Sequence, residues 1–222
     1  MLELAAVECN DILLLSLAFQ NFLDDTYSSL IDSLGKSAPL KRAKTSNGAA
    51  QYLEANYPKA ILVTDQGLTE TKHGGVLEKV QSYIQDGGLV IFGLHFPSYI
   101  SKDNFDKFFS ESFGLPWKRG DYHRTTFQFN PSCTLPASVE KASPPSAYSM
   151  QVLHVSDARQ HEKIFIPVAG ATTQSHVFSP SYVDETQAAV VGAKVGDGFL
   201  VYAGDVNAEL GSDKIILALC GL

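Results

Sequence analysis

Short stretches of consecutive apolar residues alternate along the first half of the chain with stretches in which apolar residues recur every three or four positions. Continuous apolar stretches bounded by turn residues are typical of strands buried on both faces of a parallel sheet. The three- and four-residue spacing is typical of helices that bury one face. We predict strands at 12–18, 40–45, 59–65 and 89–93, and helices at 19–34, 46–56, 75–85 and 103–113. This alternation predicts an α/β fold with a doubly wound, mostly parallel sheet of five or six strands.

The pattern changes after Leu115. Residues 117–168 are predicted to form a β-rich excursion that contains a Pro- and Ser-rich loop. Two further strands, at 188–193 and 198–203, flank a turn as the strands of a hairpin do. A last helix is expected to start at a cap formed by Ser212 or Asp213. The length fits one domain, so we expect residues 1–222 to form a single unit with the excursion inserted in it.

The stretch from Gly87 to Tyr99, with the sequence GGLVIFGLHFPSY, is the strongest signal in the chain. Two glycines precede a buried strand, and His95 follows the strand. Asp65 and Asp205 also follow predicted strands, and ligands of open α/β sheets bind at the carboxyl ends of strands. We therefore predict one crevice with His95, Asp65 and Asp205 as catalytic candidates, because a histidine beside carboxylates acts as a general base or a metal ligand. The alternative is that the two carboxylates cap turns and the imidazole is structural.

Polar residues at 121–126 (DYHRTT) form a second candidate group. His123 and Arg124 are predicted to bind the ligand, since the planar guanidinium recognises anionic and carbonyl groups. The alternative is an edge strand whose arginine pairs with an acidic neighbour. Asn207, in the loop GDVNAE, is a third ligand-binding candidate. That loop has an acidic composition but lacks the register of a calcium-binding loop, so a turn before the last helix is the simpler interpretation.

Composition excludes several classes of protein. The net charge of −7 and the pI of about 5.3 argue against a nucleic-acid partner. The apolar segment at 11–22 is too short to span a bilayer and lacks the flanks of a secretory signal. The three cysteines are far apart and the histidines have no metal-binding spacing, so we predict no metal, no cofactor and a cytoplasmic location.

The VTD strand end, the helix–DGG–strand–GLH order and the hairpin GDGFLVYAGD before a closing helix resemble the class I glutamine amidotransferase-like superfamily. The stretch GGLVIFGLH is most similar to its ThuA-like (trehalose utilisation) branch. The resemblance implies a flavodoxin-like fold. It also implies, for glutaminases, a cysteine nucleophile on a strained turn after the central strand and a late-chain histidine. The turn at 93–97 has no cysteine, Cys133 and Cys220 lie elsewhere, and His176 has no thiol to serve. Glutaminase activity is therefore not expected.

These observations predict a glutamine amidotransferase-like domain that binds a small polar molecule at the carboxyl ends of its strands. If it is an enzyme, hydrolase or lyase chemistry with His95 as the base is expected. The alternative is a non-catalytic domain that binds a protein or a second copy of itself. That alternative expects exposed aromatic side chains at Phe96, Tyr99 and Trp117. Neither nucleic acid nor membrane is an expected partner.

Overall fold

A computed structural model of the chain describes residues 7–139, 145–175 and 177–222. Strands and helices alternate in its first half, and strands dominate the second. The strands are β1 (Val7–Glu8), β2 (Ile12–Leu15), β3 (Leu40–Ala43), β4 (Asn56–Tyr57), β5 (Ala60–Val63), β6 (Leu89–Phe92), β7 (Lys118–Phe129), β8 (Tyr148–Ser156), β9 (Lys163–Pro167), β10 (Val190–Val195) and β11 (Gly198–Ala203). The α-helices are α1 (Leu23–Thr26), α2 (Ser28–Ser37), α3 (Ser46–Ala55), α4 (Gly74–Gln85), α5 (Phe96–Tyr99), α6 (Lys102–Phe113) and α7 (Leu210–Leu219).

The main sheet has nine strands in the order β3-β2-β5-β6-β11-β10-β9-β7-β8. The five strands from β3 to β11 are parallel to one another. Helices α3, α4 and α6 pack on one face of this parallel half, and α2 and α7 pack on the other. Both faces are therefore covered, which explains why β2, β5 and β6 consist of apolar residues throughout. The fold is mixed α/β, as predicted.

The predicted number of five or six strands is too low. Strands β10, β9, β7 and β8 extend the same sheet in antiparallel fashion. The excursion thus supplies three strands that continue the sheet beyond β10. Without them β10 would present a row of unpaired backbone groups. Strand β8 also meets the end of β11, where the Leu153 amide donates to the Gly204 carbonyl at 2.9 Å, but the sheet is not closed.

The predicted central strand is β6, whose four side chains are all buried. Gly88 precedes it because a Cβ atom there would lie 2.3 Å from the Tyr83 ring. Past its end the chain turns at Leu94, which has a left-handed φ of 55° although it is not glycine. Helix α5 starts two residues later. The carboxyl end of β6 is therefore followed by a sharp strand-to-helix turn.

Several predicted boundaries differ from the structure. The predicted helix at 19–34 is divided at Tyr27 into α1 and α2. Helix α7 begins at Leu210 with Glu209 at its cap position, so the prediction of a cap at Ser212 or Asp213 is wrong. Both residues lie inside the helix, where their side chains are buried. Local capping preference was outweighed by tertiary contacts.

Two of the three aromatic residues expected to be exposed are buried. Phe96 and Trp117 have no exposed surface, whereas Tyr99 is 44% exposed. The indole of Trp117 packs against Phe109, and its Nε1 atom donates to Glu162 at 3.0 Å. Phe96 and Trp117 therefore belong to the core and not to a docking surface. Among the described residues, no helix is both long enough and apolar enough to cross a bilayer.

Candidate functional site

The three catalytic candidates lie just past the carboxyl ends of three neighbouring strands. Asp65 follows β5, His95 follows β6 and Asp205 follows β11. All three are nearly inaccessible, with exposed fractions of 1%, 4% and 6%. The edge is therefore covered, and no open crevice exposes these side chains.

His95 lies in an aromatic cluster formed by Phe22, Tyr27 and Tyr99, whose ring centroids are 4.9, 5.4 and 5.4 Å from the imidazole. Its Nδ1 atom is buried and has no hydrogen-bond partner among the residues that the structure describes. Burial lowers the pKa of the imidazole, because the charged form loses hydration. The side chain is thus neutral near pH 7, and the hydrogen-bonding capacity of its Nδ1 atom is unused among the described residues.

Two of these rings are also partly exposed to solvent. Phe22 is 47% exposed and Tyr99 is 44% exposed, whereas Tyr27 is buried. Phe22 and Tyr99 come from different segments, one before α1 and one at the end of α5. The imidazole is therefore bordered by two partly exposed rings.

Asp65 anchors two loops. Its Oδ1 atom accepts hydrogen bonds from the amides of Ala18 and Gly67, both at 2.9 Å. Its Oδ2 atom is buried without a partner. Burial raises the pKa of this carboxyl group, and the two amide donors oppose the shift. One oxygen is therefore structural, and only Oδ2 remains for chemistry.

Asp205 organises the loop before α7. Its Oδ1 atom accepts from the Asn207 amide and its Oδ2 atom from the Glu209 amide, both at 2.8 Å. Arg124 pairs with the Glu209 carboxylate. With its side-chain amide oriented to satisfy both of its polar atoms, Asn207 accepts from Arg124 at 3.1 Å. The structure therefore joins three of the predicted residues, Asp205, Asn207 and Arg124, through Glu209.

Tyr27 and Asp213 also belong to this edge, although neither was a predicted site residue. The Tyr27 hydroxyl donates to the Leu94 carbonyl at 2.8 Å. Burial and the charges of Asp205 and Asp213 raise the pKa of this phenol, so both carboxylates are within electrostatic range of it. The Oδ2 atom of Asp213 is buried without a partner, and burial also raises the pKa of that carboxyl group. Neither was predicted as a site residue, because Tyr27 fits the apolar helical spacing at 19–34 and Asp213 resembles a helix cap in the sequence.

His123 belongs to a different cluster. Its ring centroid is 4.3 Å from that of His154, on the neighbouring strand β8. The Nδ1 atom of His154 lies 2.9 Å from the Asp121 carbonyl, and because a carbonyl only accepts, this nitrogen carries the proton. The Nε2 atoms of both histidines are buried and unpartnered. Burial, followed by the neighbouring His123, lowers the pKa of His154 to about 4. His123 is therefore paired with a histidine and not with His95.

This edge contains no metal cluster among the described residues. Within residues 7–139, 145–175 and 177–222, no group of three or more His, Cys, Asp or Glu side chains is arranged to hold a metal ion. A cavity of about 730 Å³ lies instead at the opposite edge, where β5, β6 and β11 begin. His176, the late-chain histidine of the sequence analysis, lies outside the described residues.

Comparison with known proteins identifies the fold. No protein-family model matches the chain, and no curated protein matches it. A solved ThuA-like protein from Bacteroides uniformis is similar over 97% of this chain and 91% of its own, with a TM-score of 0.58 and 10% identity. A β-galactosidase from the Antarctic haloarchaeon Halorubrum lacusprofundi is similar over 95% of this chain, with a TM-score of 0.52 and 15% identity. This chain covers 30% of that β-galactosidase. The resemblance to ThuA-like proteins is thereby confirmed at the level of the fold.

Proposed function

We propose that this chain binds a small polar ligand at the carboxyl edge of its parallel strands, with the unpartnered Nδ1 atom of His95 as the central contact. Buried polar atoms are nearly always hydrogen-bonded in folded proteins, so an unpartnered one calls for an explanation, and a bound ligand is one such explanation. The position of His95 after the central strand of an open α/β sheet supports the proposal. The parallel strands follow the order β3-β2-β5-β6-β11, which corresponds to the 2-1-3-4-5 order of flavodoxin-like folds.

The arrangement around His95 supports a neutral or weakly charged ligand. The imidazole is neutral, and the nearby carboxylates Asp205 and Asp213 are disfavoured in their charged forms by burial. Arg124 is already paired with Glu209. A ligand with hydroxyl or carbonyl groups would satisfy Nδ1 and pack against the exposed faces of Phe22 and Tyr99. A strongly charged ligand would find no uncompensated opposite charge among these residues.

If the bound molecule reacts, the chemistry is hydrolytic or lyase-type with His95 as general base. A neutral imidazole accepts a proton near pH 7, and the imidazolium that forms returns it to the leaving group. Acyl transfer through a thioester is not proposed. The residue at the strained turn is Leu94, which is 2% exposed and has no nucleophilic atom.

Nuclear magnetic resonance of ¹⁵N-histidine-labelled protein tests the binding proposal. A panel of small polyols, hydroxy acids and amides would be added, and at least one compound is expected to shift the His95 ring signals. The variant His95→Phe keeps the aromatic packing and removes both ring nitrogens, so it should abolish that binding. The matched control His161→Phe, at an exposed histidine, should not. Binding that survives His95→Phe, or a panel without any shift at His95, contradicts the proposal.

A second candidate function is protein association, supported by a short hairpin between β9 and β10. Thr172 bridges to Tyr182 in this hairpin, and Val177, Phe178 and Tyr182 are 82%, 75% and 84% exposed. Apolar side chains so exposed on one loop are typical of contact surfaces. A second copy of the chain is the simplest partner, and sedimentation velocity over a range of concentrations measures it. Phe178→Ser should abolish any self-association. Monomeric wild-type protein at every concentration would contradict this candidate.

The three cysteines of the chain are all free thiols. Free thiols persist in reducing compartments, which supports the cytoplasmic location expected from composition.

A further inference from the structure

The cavity at the amino edge of the sheet lies at the opposite end of β6 from His95. Leu89, the first residue of β6, and Phe199, near the start of β11, both line it. Its volume of about 730 Å³ falls within the range of about 300 to 1,000 Å³ that is usual for small-molecule sites. A four-residue strand is about 13 Å long, so one molecule in this cavity does not contact His95.

The lining of the cavity is largely apolar. Its apolar and aromatic members include Tyr57, Pro58, Tyr83, Leu89, Leu135 and Phe199. The hydroxyl groups of the two tyrosines are already used, since Tyr57 donates to the Asp86 carbonyl at 2.9 Å and Tyr83 to the Pro58 carbonyl at 2.8 Å. Their rings therefore contribute apolar surface to the cavity.

Two lysines supply charge to this lining. Lys59 and Lys194 both face the cavity, and among the described residues neither ammonium group has a carboxylate within 4.0 Å. Lys59 donates to the Gly221 carbonyl at 3.1 Å, which leaves its charge uncompensated. One carboxylate, Asp197, lines the same cavity. Two cations against one anion leave a local positive excess in a chain whose net charge is −7.

We propose that this cavity binds an amphipathic monoanion, with an apolar body on Leu89, Leu135 and Phe199 and an acidic head group near Lys59 and Lys194. Charge complementarity selects the head group, and burial of apolar surface supplies affinity. A medium-chain aliphatic carboxylate is the occupant that fits this chemistry. An aromatic carboxylate shares the chemistry and differs only in the shape of its body.

Isothermal titration calorimetry of the full chain with decanoate, 4-phenylbutyrate, 1-decanol and decyltrimethylammonium separates the contributions. Decanoate should bind about tenfold more tightly than 1-decanol, and the cationic analogue should bind least. Tighter binding of 4-phenylbutyrate than of decanoate would assign the site to an aromatic acid and keep the monoanion proposal. Equal affinity for decanoate and 1-decanol, or no binding of either acid, would overturn it.

Lysine variants test whether decanoate binds in this cavity. Lys194→Met, at an exposed lysine, should weaken decanoate binding about three- to fivefold and leave 1-decanol unchanged. Lys59→Met should act in the same direction, and Lys194→Met carries the test if the loss of the Gly221 contact unfolds that variant. Lys102→Met is the matched control at an exposed lysine outside the cavity. Unaltered decanoate affinity in Lys194→Met would contradict the proposal.

A cavity-filling variant completes the test. Ala137 is exposed at the cavity lining, so Ala137→Trp should block both decanoate and 1-decanol. His95→Phe should leave both affinities unchanged, because His95 lies at the other end of β6. Binding that is lost in His95→Phe and kept in Ala137→Trp would place the ligand at the carboxyl edge and overturn this assignment.

Discussion

Tyr27 donates its phenol hydrogen to the backbone carbonyl of Leu94 across 2.8 Å, and both side chains are buried. This bond joins the start of α2 to the turn that follows the central strand. Leu94 has a φ of 55°, so the bond holds a residue in a conformation that leucine rarely adopts. The turn after the central strand is thus held in place by a buried hydrogen bond.

Replacement of Tyr27 by phenylalanine tests how much that hydrogen bond contributes to stability. The variant keeps the ring beside His95 and leaves the buried Leu94 carbonyl without its donor. We expect the free energy of unfolding to fall by about 1 to 2 kcal/mol, measured by urea denaturation. Tyr122→Phe, at a tyrosine that is 58% exposed, is the matched control and should change little. Equal stabilities of the two variants would mean that the bond contributes nothing.

The backbone strain at Leu94 predicts an inverted order of glycine and alanine. Both Leu94→Ala and Leu94→Gly lose a buried side chain, which costs about 2 to 5 kcal/mol. Glycine adopts a positive φ freely, whereas alanine pays about 1 kcal/mol for it. Leu94→Gly should therefore be the more stable of the two in chemical denaturation.

Strand β5 provides the reference for this comparison. Leu62 is equally buried and lies within a regular strand. There the usual order applies, so Leu62→Gly should be less stable than Leu62→Ala. The same order at both positions would show that the left-handed turn at Leu94 carries no strain.

The histidine pair on β7 and β8 predicts a loss of stability in acid. The pKa of His154 is lowered from 6.5 to about 4, so the unfolded chain binds the proton first as the pH falls. Stability is therefore full above pH 6.5 and falls toward pH 4, by roughly 3 kcal/mol for this group. The pKa of His123 is shifted in the same direction and adds to the loss.

Urea denaturation at a series of pH values from 7.5 to 4 measures this dependence. His154→Gln removes the titrating group, so its stability should vary less with pH by about one proton per molecule. His161→Gln, at an exposed histidine, should follow the wild-type slope. An unchanged slope in His154→Gln would contradict the assignment.

For the buried Asp213 carboxyl group we predict that stability depends on pH in the opposite direction. Burial raises its pKa above that of the unfolded chain, so its charged form destabilises the fold and this penalty grows as the pH rises through the folded pKa. Asp213→Asn should raise the melting temperature at pH 8, and the gain should vanish below the unfolded value of 3.8. Thermal unfolding followed by circular dichroism at both pH values measures it. Asp25→Asn, at an exposed aspartate, should show no such gain, and a lower melting temperature of Asp213→Asn at pH 8 would refute the prediction.

The apolar pattern alone determined the parallel half of the fold. Strands β2, β5 and β6 and helices α3, α4 and α6 were predicted within a few residues, because burial on two faces or on one face leaves a periodic trace in the chain. The same pattern placed Asp65, His95 and Asp205 at one edge, since parallel strands share a carboxyl end. The turn at 93–97 contains no cysteine, and Leu94 occupies its strained position.

Tertiary structure decided what those residues do. Hydrogen bonds from the Ala18 and Glu209 amides make Asp65 and Asp205 loop anchors, which is the alternative that the sequence left open. The Glu209 donor is local, whereas the Ala18 donor is 47 residues from Asp65 and leaves no local pattern. Contacts between segments far apart in the chain determine three further features. These are the contact of His123 with His154, the hydrogen bond from Tyr27 to Leu94, and the addition of the antiparallel strands to β10. Burial of polar side chains is a property of the assembled molecule, and so the unpartnered Nδ1 atom of His95 becomes apparent only in the folded protein.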